Sequence, residues 1–313
     1  TVTLEPLPPP APYGRVQPPA QPDNLLVRNA TIWTCGPEGR LEQADLLVSQ
    51  GKIQAVGKNL KAPRDAQVMD AAGKHVTPGL IDAHSHTGIQ GGVNEMRRAV
   101  TASVRIRDIL NPDAVAFYRE LAGGLTVSHE MHGSANPIGG QNTIVKLRWG
   151  SPPENMIFNA APPTIKFALG ENVKQSNWGD EFTTRYPQTR MGVEQIIRDR
   201  FKAAMEYQAA WNRYQDQRKP IRVPPRRDLA LEALSEVLRG DRIIHCHAYR
   251  QDEILMLMRV AEEFGITVGT FQHVLEGYKV ADILKKHGAY ASTFSDWWAY
   301  KFEVFDAIPF NGA

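Results

Sequence analysis

The sequence predicts an α/β fold: a (β/α)8 barrel lacking its last strand, preceded by a small β subdomain. Three observations carry this expectation. From about residue 76 onward, strand-like segments alternate with amphipathic helical ones, the pattern of parallel strands joined by crossover helices. Seven such strands can be counted, each with its polar residues near the carboxyl end, where barrels keep their chemistry. Before them, from Asn24 to about Lys74, short strands and turn signals take over from the helical period. An open doubly wound sheet is the competing fold, but it usually has fewer consecutive βα units, and the chain has no G-x-G-x-x-G phosphate loop.

Residues 1–23 are Pro-rich, with Pro8-Pro9-Pro10 and Pro18-Pro19, and read as an arm or linker unable to bury a core. Residues 24–75 form a partial β-sandwich-like subdomain. Its strands are 25–33, 44–48 and 53–57, with Gln50-Gly51-Lys52 as a hairpin turn. The barrel takes residues 76–313. After its first strand, which ends at His86, the strand candidates are 124–129, 142–148, 164–169, 242–247, 266–272 and 288–293. The helices between them have clear faces. Val193, Ile196, Ile197, Phe201, Ala204 and Met205 share one, and Ile254, Leu257, Met258, Ala261 and Phe264 another. Asp228 to Gly240 shows an N-cap, an apolar stripe of Leu231, Leu234, Val237 and Leu238, and a terminating Gly.

Composition narrows the function. The chain has 313 residues, 42% of them hydrophobic, and a net charge of +2, which supports a real core and argues against a nucleic-acid or acidic-polymer partner. Its densest basic cluster, Pro224-Pro225-Arg226-Arg227, reads as a solvated loop. No apolar run approaches the roughly 20 residues needed to span a bilayer. Two cysteines, Cys35 and Cys246, make no disulfide framework. The Pro-rich start reads as a linker after another domain or the stretch behind a cleaved export signal, and export is taken over the cytoplasm.

The chemistry gathers at strand ends. Val76-Thr77-Pro78-Gly79-Leu80-Ile81-Asp82-Ala83-His84-Ser85-His86 is an apolar strand closed by two histidines one residue apart. Side chains at i and i+2 share a face of a strand, so His84 and His86 project together, and paired imidazoles suit a divalent metal. The same spacing recurs in His245-Cys246-His247, and a third strand closes with Gln272-His273. Alternation turns Cys246 away from its flanking histidines, favouring a core thiol over a metal thiolate. Five of the nine histidines thus fall at the ends of three strands, which neither core nor surface histidines explain.

These segments, together with Asp70-Ala71-Ala72-Gly73-Lys74 leading into the first strand, resemble the amidohydrolase superfamily. The likeness is to its imidazolonepropionase-like and metal-dependent carboxypeptidase or prolidase-like branches. The resemblance implies one or two divalent metals, zinc first among them. His84, His86, His245 and His273 are the implied ligands, with His247 placed for the substrate carbonyl or the leaving group. Many members bridge two metals with a carboxylated lysine on strand four. Lys166, in the otherwise apolar Thr164-Ile165-Lys166-Phe167-Ala168-Leu169-Gly170, matches that pattern. Burial disfavours an ammonium, and a neutral lysine can take up carbon dioxide. The alternative for Lys166 is pairing with a carboxylate, and Glu171 is the alternative bridge. Members also carry a metal-binding, proton-moving aspartate at the end of strand eight. No residue can be assigned to it: Asp296 comes too early, and the sequence reaches Asn311-Gly312-Ala313 in the helix after strand seven.

The implied reaction is hydrolysis of a C–N bond in an amide, cyclic amide or peptide-like small molecule. A one-metal amine deaminase, or a non-catalytic binding module of a larger protein, is the alternative. The expected assembly is a homo-oligomer or a portion of a longer polypeptide. Other residues receive lesser roles. His129-Glu130-Met131-His132 has its histidines three apart, not the four of a zinc protease, and marks the end of strand two. Residues 133–141 follow as an active-site or a surface loop. His75 is expected exposed in a turn, and His287 as an imidazolium at a helix C-terminus. Trp297, Trp298 and Tyr300 line a pocket or pack a helix.

Overall fold

Two left-handed residues in succession, Gln50 (φ 48°) and Gly51 (φ 70°), give the first hairpin the backbone of a type I′ turn. They join β2 (Arg40–Ser49) to β3 (Lys52–Gly57), with β1 (Asn24–Trp33) on the other side of β2, all antiparallel. The structure, a computed structural model, describes residues 22–176, 178–182, 184–216 and 223–294. The arm up to residue 21, Asp296, Trp297, Trp298, Tyr300 and residues 311–313 lie outside them.

The chain divides into two compact units at Leu80 and Ile81. In the first, β4 (Gln67–Asp70) and β5 (His75–Val76) both run parallel to β1. Val76, assigned to the barrel from sequence, therefore belongs here: it pairs with Ile32. Neither short strand has an apolar alternation to announce it. His75 sits in a strand rather than a turn, and its Nδ1 accepts from Trp33 Nε1 at 2.9 Å. Among the described residues the unit is one five-stranded sheet, so the second layer of the expected sandwich is not formed among them. Leu26, Val27, Ala30, Ile32, Ala44 and Ala71 are its buried apolar residues. Asp45, 4% exposed, accepts from the backbone N–H of Asn29 and of Leu60, tying two loops to β2.

In the second unit the elements are β6 (Leu80–Ser85), α1 (Val115–Ala122), β7 (Leu125–Glu130), β8 (Ile138–Gln141), β9 (Thr143–Lys146), α2 (Pro153–Met156), β10 (Thr164–Ala168) and α3 (Glu171–Lys174). They continue with α4 (Arg190–Gln215), α5 (Leu229–Arg239), β11 (Ile243–Ala248), α6 (Gln251–Glu263), β12 (Val268–His273), α7 (Ala281–His287) and β13 (Tyr290–Thr293). The strands make two sheets, in the orders β13-β12-β11-β10-β8 and β6-β7-β9. From β10 to β13 neighbouring strands are parallel and joined through helices, as expected.

The third expected barrel strand departs from that scheme. β9 runs antiparallel to β7, and β8, within the expected loop, runs antiparallel to β10. The chain changes sheets at Asn142, whose amide donates to Thr164 Oγ1 at 3.1 Å and accepts from His132 N–H at 3.1 Å. Gly139 and Gly140 make this approach possible. A Cβ on Gly139 would stand 2.8 Å from His132 Nδ1, and one on Gly140 2.7 Å from Val104. Residues 131–141 are thus almost wholly buried, which overturns the surface-loop alternative.

Alternation sorts the central sheet. Phe167, Cys246 and Phe271 are cross-strand neighbours in one row, all buried in the apolar cluster with the helices. Lys166, His245 and Thr270 form a row on the other face, followed by Ala168, His247 and Gln272. The helix faces match the sequence reading except at Met205, which is 51% exposed beyond the reach of the α4 stripe. Asp228 caps α5 by accepting from the N–H groups of Ala230 and Leu231, and Gly240 ends it in the left-handed region at φ 79°.

Candidate metal centre

The end of β6 aims two imidazoles at one point. His86 donates from Nδ1 to the carbonyl of Met131 at 2.8 Å, which leaves a lone pair on its Nε2. His84 Nδ1 meets Gln272 Oε1 at 2.9 Å, which turns its Nε2 towards the same point. The two Nε2 atoms lie 3.3 Å apart. Two imidazole nitrogens 2.0–2.1 Å from a tetrahedral zinc would be roughly 3.3–3.4 Å apart, so the pair fits a divalent ion. Lys166, 0% exposed, reaches in from β10 and brings Nζ to 3.3 Å from His84 Nε2.

The other implied ligands surround this group at different removes. The His273 ring centroid lies 5.0 Å from that of His84 and 4.5 Å from that of His247. Its φ of 70°, followed by Val274 at 45°, is what turns the ring to this side against strict alternation. His247 is buried between His273 and Tyr249, whose ring is 4.7 Å away. His245 is joined to His84 only through Gln272, which donates from Nε2 to His245 Nδ1 at 3.1 Å. Among the described residues no three His, Cys, Asp or Glu side chains stand together as a ready cage; His84, His86 and Lys166 are what converge. Glu171, the alternative bridge, is buried in the first turn of α3.

Burial, reinforced by the Lys166 charge, pushes His84 down to about 2 and His245 to about 4, and lowers His86 as well. The imidazoles are therefore neutral at physiological pH, the form that ligates metal. Burial has the opposite effect on the Cys246 thiol, raising it and keeping it an inert core residue.

Several further polar residues are buried around these histidines. His129 is buried, hydrogen-bonded to Thr164 Oγ1 at 2.7 Å and set edge-on to His245 with ring centroids 4.7 Å apart. Burial, with His245 next, holds it down at about 3. Glu130, 0% exposed, accepts from Ser128 Oγ at 2.6 Å, and burial pushes it up to about 8. The signal was present: Ser128-His129-Glu130 ends a strand just as His84-Ser85-His86 does. His132 is structural. Its Nε2 accepts from Glu95 N–H at 3.1 Å and its Nδ1 donates to Gly133 C=O at 2.9 Å, which occupies both nitrogens. His287 ends α7 with Nε2 accepting from Val268 N–H at 3.1 Å and Nδ1 facing Glu262 at 3.0 Å.

No family model matches the chain. The crystal structure of an amidohydrolase from Thermotoga maritima MSB8 is similar, at 34% identity and a TM-score of 0.81, over 91% of this chain and 73% of that one. The chain belongs to the amidohydrolase superfamily. Amidohydrolase tasK of Hapsidospora irregularis is 29% identical over 329 residues, covering 92% of this chain. A dihydroorotase of Geotalea daltonii is 64% identical over 45 residues, 14% of this chain. The amidohydrolase chain described here spans 33% of the length of the tasK protein and 11% of that dihydroorotase.

Proposed function

We propose that this amidohydrolase is a metal-dependent hydrolase that cleaves a C–N bond in an amide, cyclic amide or peptide-like small molecule. The observation that carries the reading is the 3.3 Å approach of the His84 and His86 Nε2 atoms beside the buried Lys166. His84 and His86 would hold one divalent ion, zinc by the donor set. Lys166, carboxylated, would bridge to a second held by His245 and His273. A bound divalent metal acidifies water and polarises a scissile carbonyl. His247, buried beside His273, contacts the carbonyl oxygen or the leaving nitrogen. A carboxylate from beyond the described residues moves the proton between water and leaving group. In the same reading the two sheets of the second unit are arcs of a (β/α)8-type barrel, with residues 138–146 divided between them in the third position.

Elemental analysis of the full-length protein, followed by hydrolysis assays on dipeptides, N-acyl amino acids and cyclic amides, tests this. Two zinc equivalents and turnover of one class are expected, both lost in His84→Ala and His86→Ala. A protein with one ion, an unmodified Lys166 and activity on an exocyclic amine would instead be a deaminase.

A further inference from the structure

Two cavities open side by side along α4, and Arg200, Tyr207 and Trp211 run along both. Their spacings of seven and four residues set them on one face of the helix, and Arg200 and Trp211 stand about 16 Å apart along its axis. The Trp211 end is a cavity of about 510 Å³ between α4 and α5, a volume in the range of small-molecule sites. Tyr207 and Trp211 form its aromatic wall, with ring centroids 6.2 Å apart. Trp211 Nε1 and the Oγ of Ser235, a residue 2% exposed, are buried at this wall without a hydrogen-bond partner. An unmet buried donor destabilises the site, and an acceptor seated in the cavity removes that cost. The carboxylates here are already engaged: Glu232 accepts from Tyr207 and pairs with Arg227, and Glu236 pairs with Arg242. This chamber suits an uncharged planar ring that carries acceptor atoms on its edge.

The Arg200 end has the opposite chemistry. It is a cavity of about 880 Å³ lined by Arg98, Arg200 and Arg226, and none of the three pairs with a carboxylate among the described residues. Asp228, the acidic residue of this wall among those described, is turned to the N–H groups of Ala230 and Leu231. Three like charges around one space make a field that draws an anion, and guanidinium forks match phosphate oxygens. Tyr207 and Arg227 border both cavities. One ligand can therefore lie across the two, with its ring at Trp211 and its charge at Arg200.

We propose that the α4–α5 cleft binds a nucleoside triphosphate, with the base against Tyr207 and Trp211 and the phosphates among Arg98, Arg200 and Arg226. The two helices bury their apolar faces with Phe167 and Cys246, on the side of the central sheet opposite Lys166 and His245. The cleft is thus separate from the metal centre and serves an effector rather than the molecule being hydrolysed. It also gives the Arg226-Arg227 pair, which reads as a solvated loop in the sequence, a ligand of matching charge.

The test is calorimetric titration of the full-length protein with ATP, adenosine and inorganic triphosphate. ATP is expected to bind about tenfold or more tightly than either part, because each part fills one chamber only. Arg200→Ala and Arg226→Ala, both at exposed positions, should each weaken ATP about tenfold and leave adenosine unchanged. Trp211→Phe keeps an aromatic ring and removes the N–H, and should weaken ATP and adenosine alike, by about fivefold. Photolabelling with 8-azido-ATP should mark peptides of α4 or α5. The proposal is overturned if ATP does not bind, or if inorganic triphosphate or adenosine alone binds as tightly as ATP. An ATP affinity that both arginine substitutions leave unchanged overturns it too, as does label confined to other elements. The wild-type titrations and the labelling need no substitution, so a variant that fails to fold leaves the test intact.

Discussion

Replacing Glu130 with Gln should flatten the alkaline side of the stability curve. Glu130 is wholly buried at the end of β7 and is held at about 8 by burial, against an ordinary 4.5. The folded chain keeps a proton there that the unfolded chain gives up above pH 4.5. Stability from this group is therefore complete below 4.5 and falls as pH rises towards 8. His129 works in the opposite direction: lowered from 6.5 to about 3, it costs stability only as pH drops below 6.5. Between pH 6.5 and 8 the slope from these two groups belongs to Glu130 alone. At about 1.4 kcal/mol per unit of pH, 1.5 units give about 2 kcal/mol. Gln keeps an oxygen for Ser128 and cannot ionise. An amide N–H2 in place of Oε2 adds a penalty of about 1–3 kcal/mol, but one that does not vary with pH. Urea unfolding at pH 6.5 and at pH 8 should show wild type losing about 2 kcal/mol more across that interval than Glu130→Gln. Equal losses in the two proteins would mean that Glu130 is ionised in the fold and that this reasoning is wrong.

Three further outcomes are expected. Lys166→Met should reduce bound zinc to at most one equivalent by elemental analysis. In metal-free protein with its lysine uncarboxylated, it should also raise the NMR titration midpoint of His84, because the Lys166 ammonium is, after burial, a cause that holds that ring near 2. Asp45→Ala leaves the N–H groups of Asn29 and Leu60 without their acceptor, and calorimetric melting should report a loss of about 2–3 kcal/mol in the first unit. Asp228→Ala removes the cap of α5 and should cost about 1 kcal/mol in urea unfolding, while Asp228→Asn should retain most of it.

The parallel arrangement from β10 to β13 was legible because strand alternation and helical stripes are local patterns. Phe167, Cys246 and Phe271 could be assigned to one face, and Lys166, His245 and His247 to the other, from their neighbours alone. The same locality explains the misses. Residues 142–148 read correctly as a strand, but nothing within them says that β9 runs antiparallel to β7, since direction is set by a corner at Asn142 and hydrogen bonds to Thr164. β8 was hidden by its own glycines, which are there to clear His132 rather than to make a turn. His132 gives no sign in the sequence that a backbone N–H from Glu95 meets its Nε2.

The sequence by itself determined that His84 and His86 emerge together from one strand, because a period of two admits no other arrangement. It equally determined which helix faces are buried, with Met205 the exception. Only the tertiary structure decided which other groups join that pair. His84 and Gln272 are 188 positions apart, and their hydrogen bond exists because separate strands end at one place. The partners of each ring nitrogen come from other strands, so the chemistry open to each histidine is a property of the assembled site.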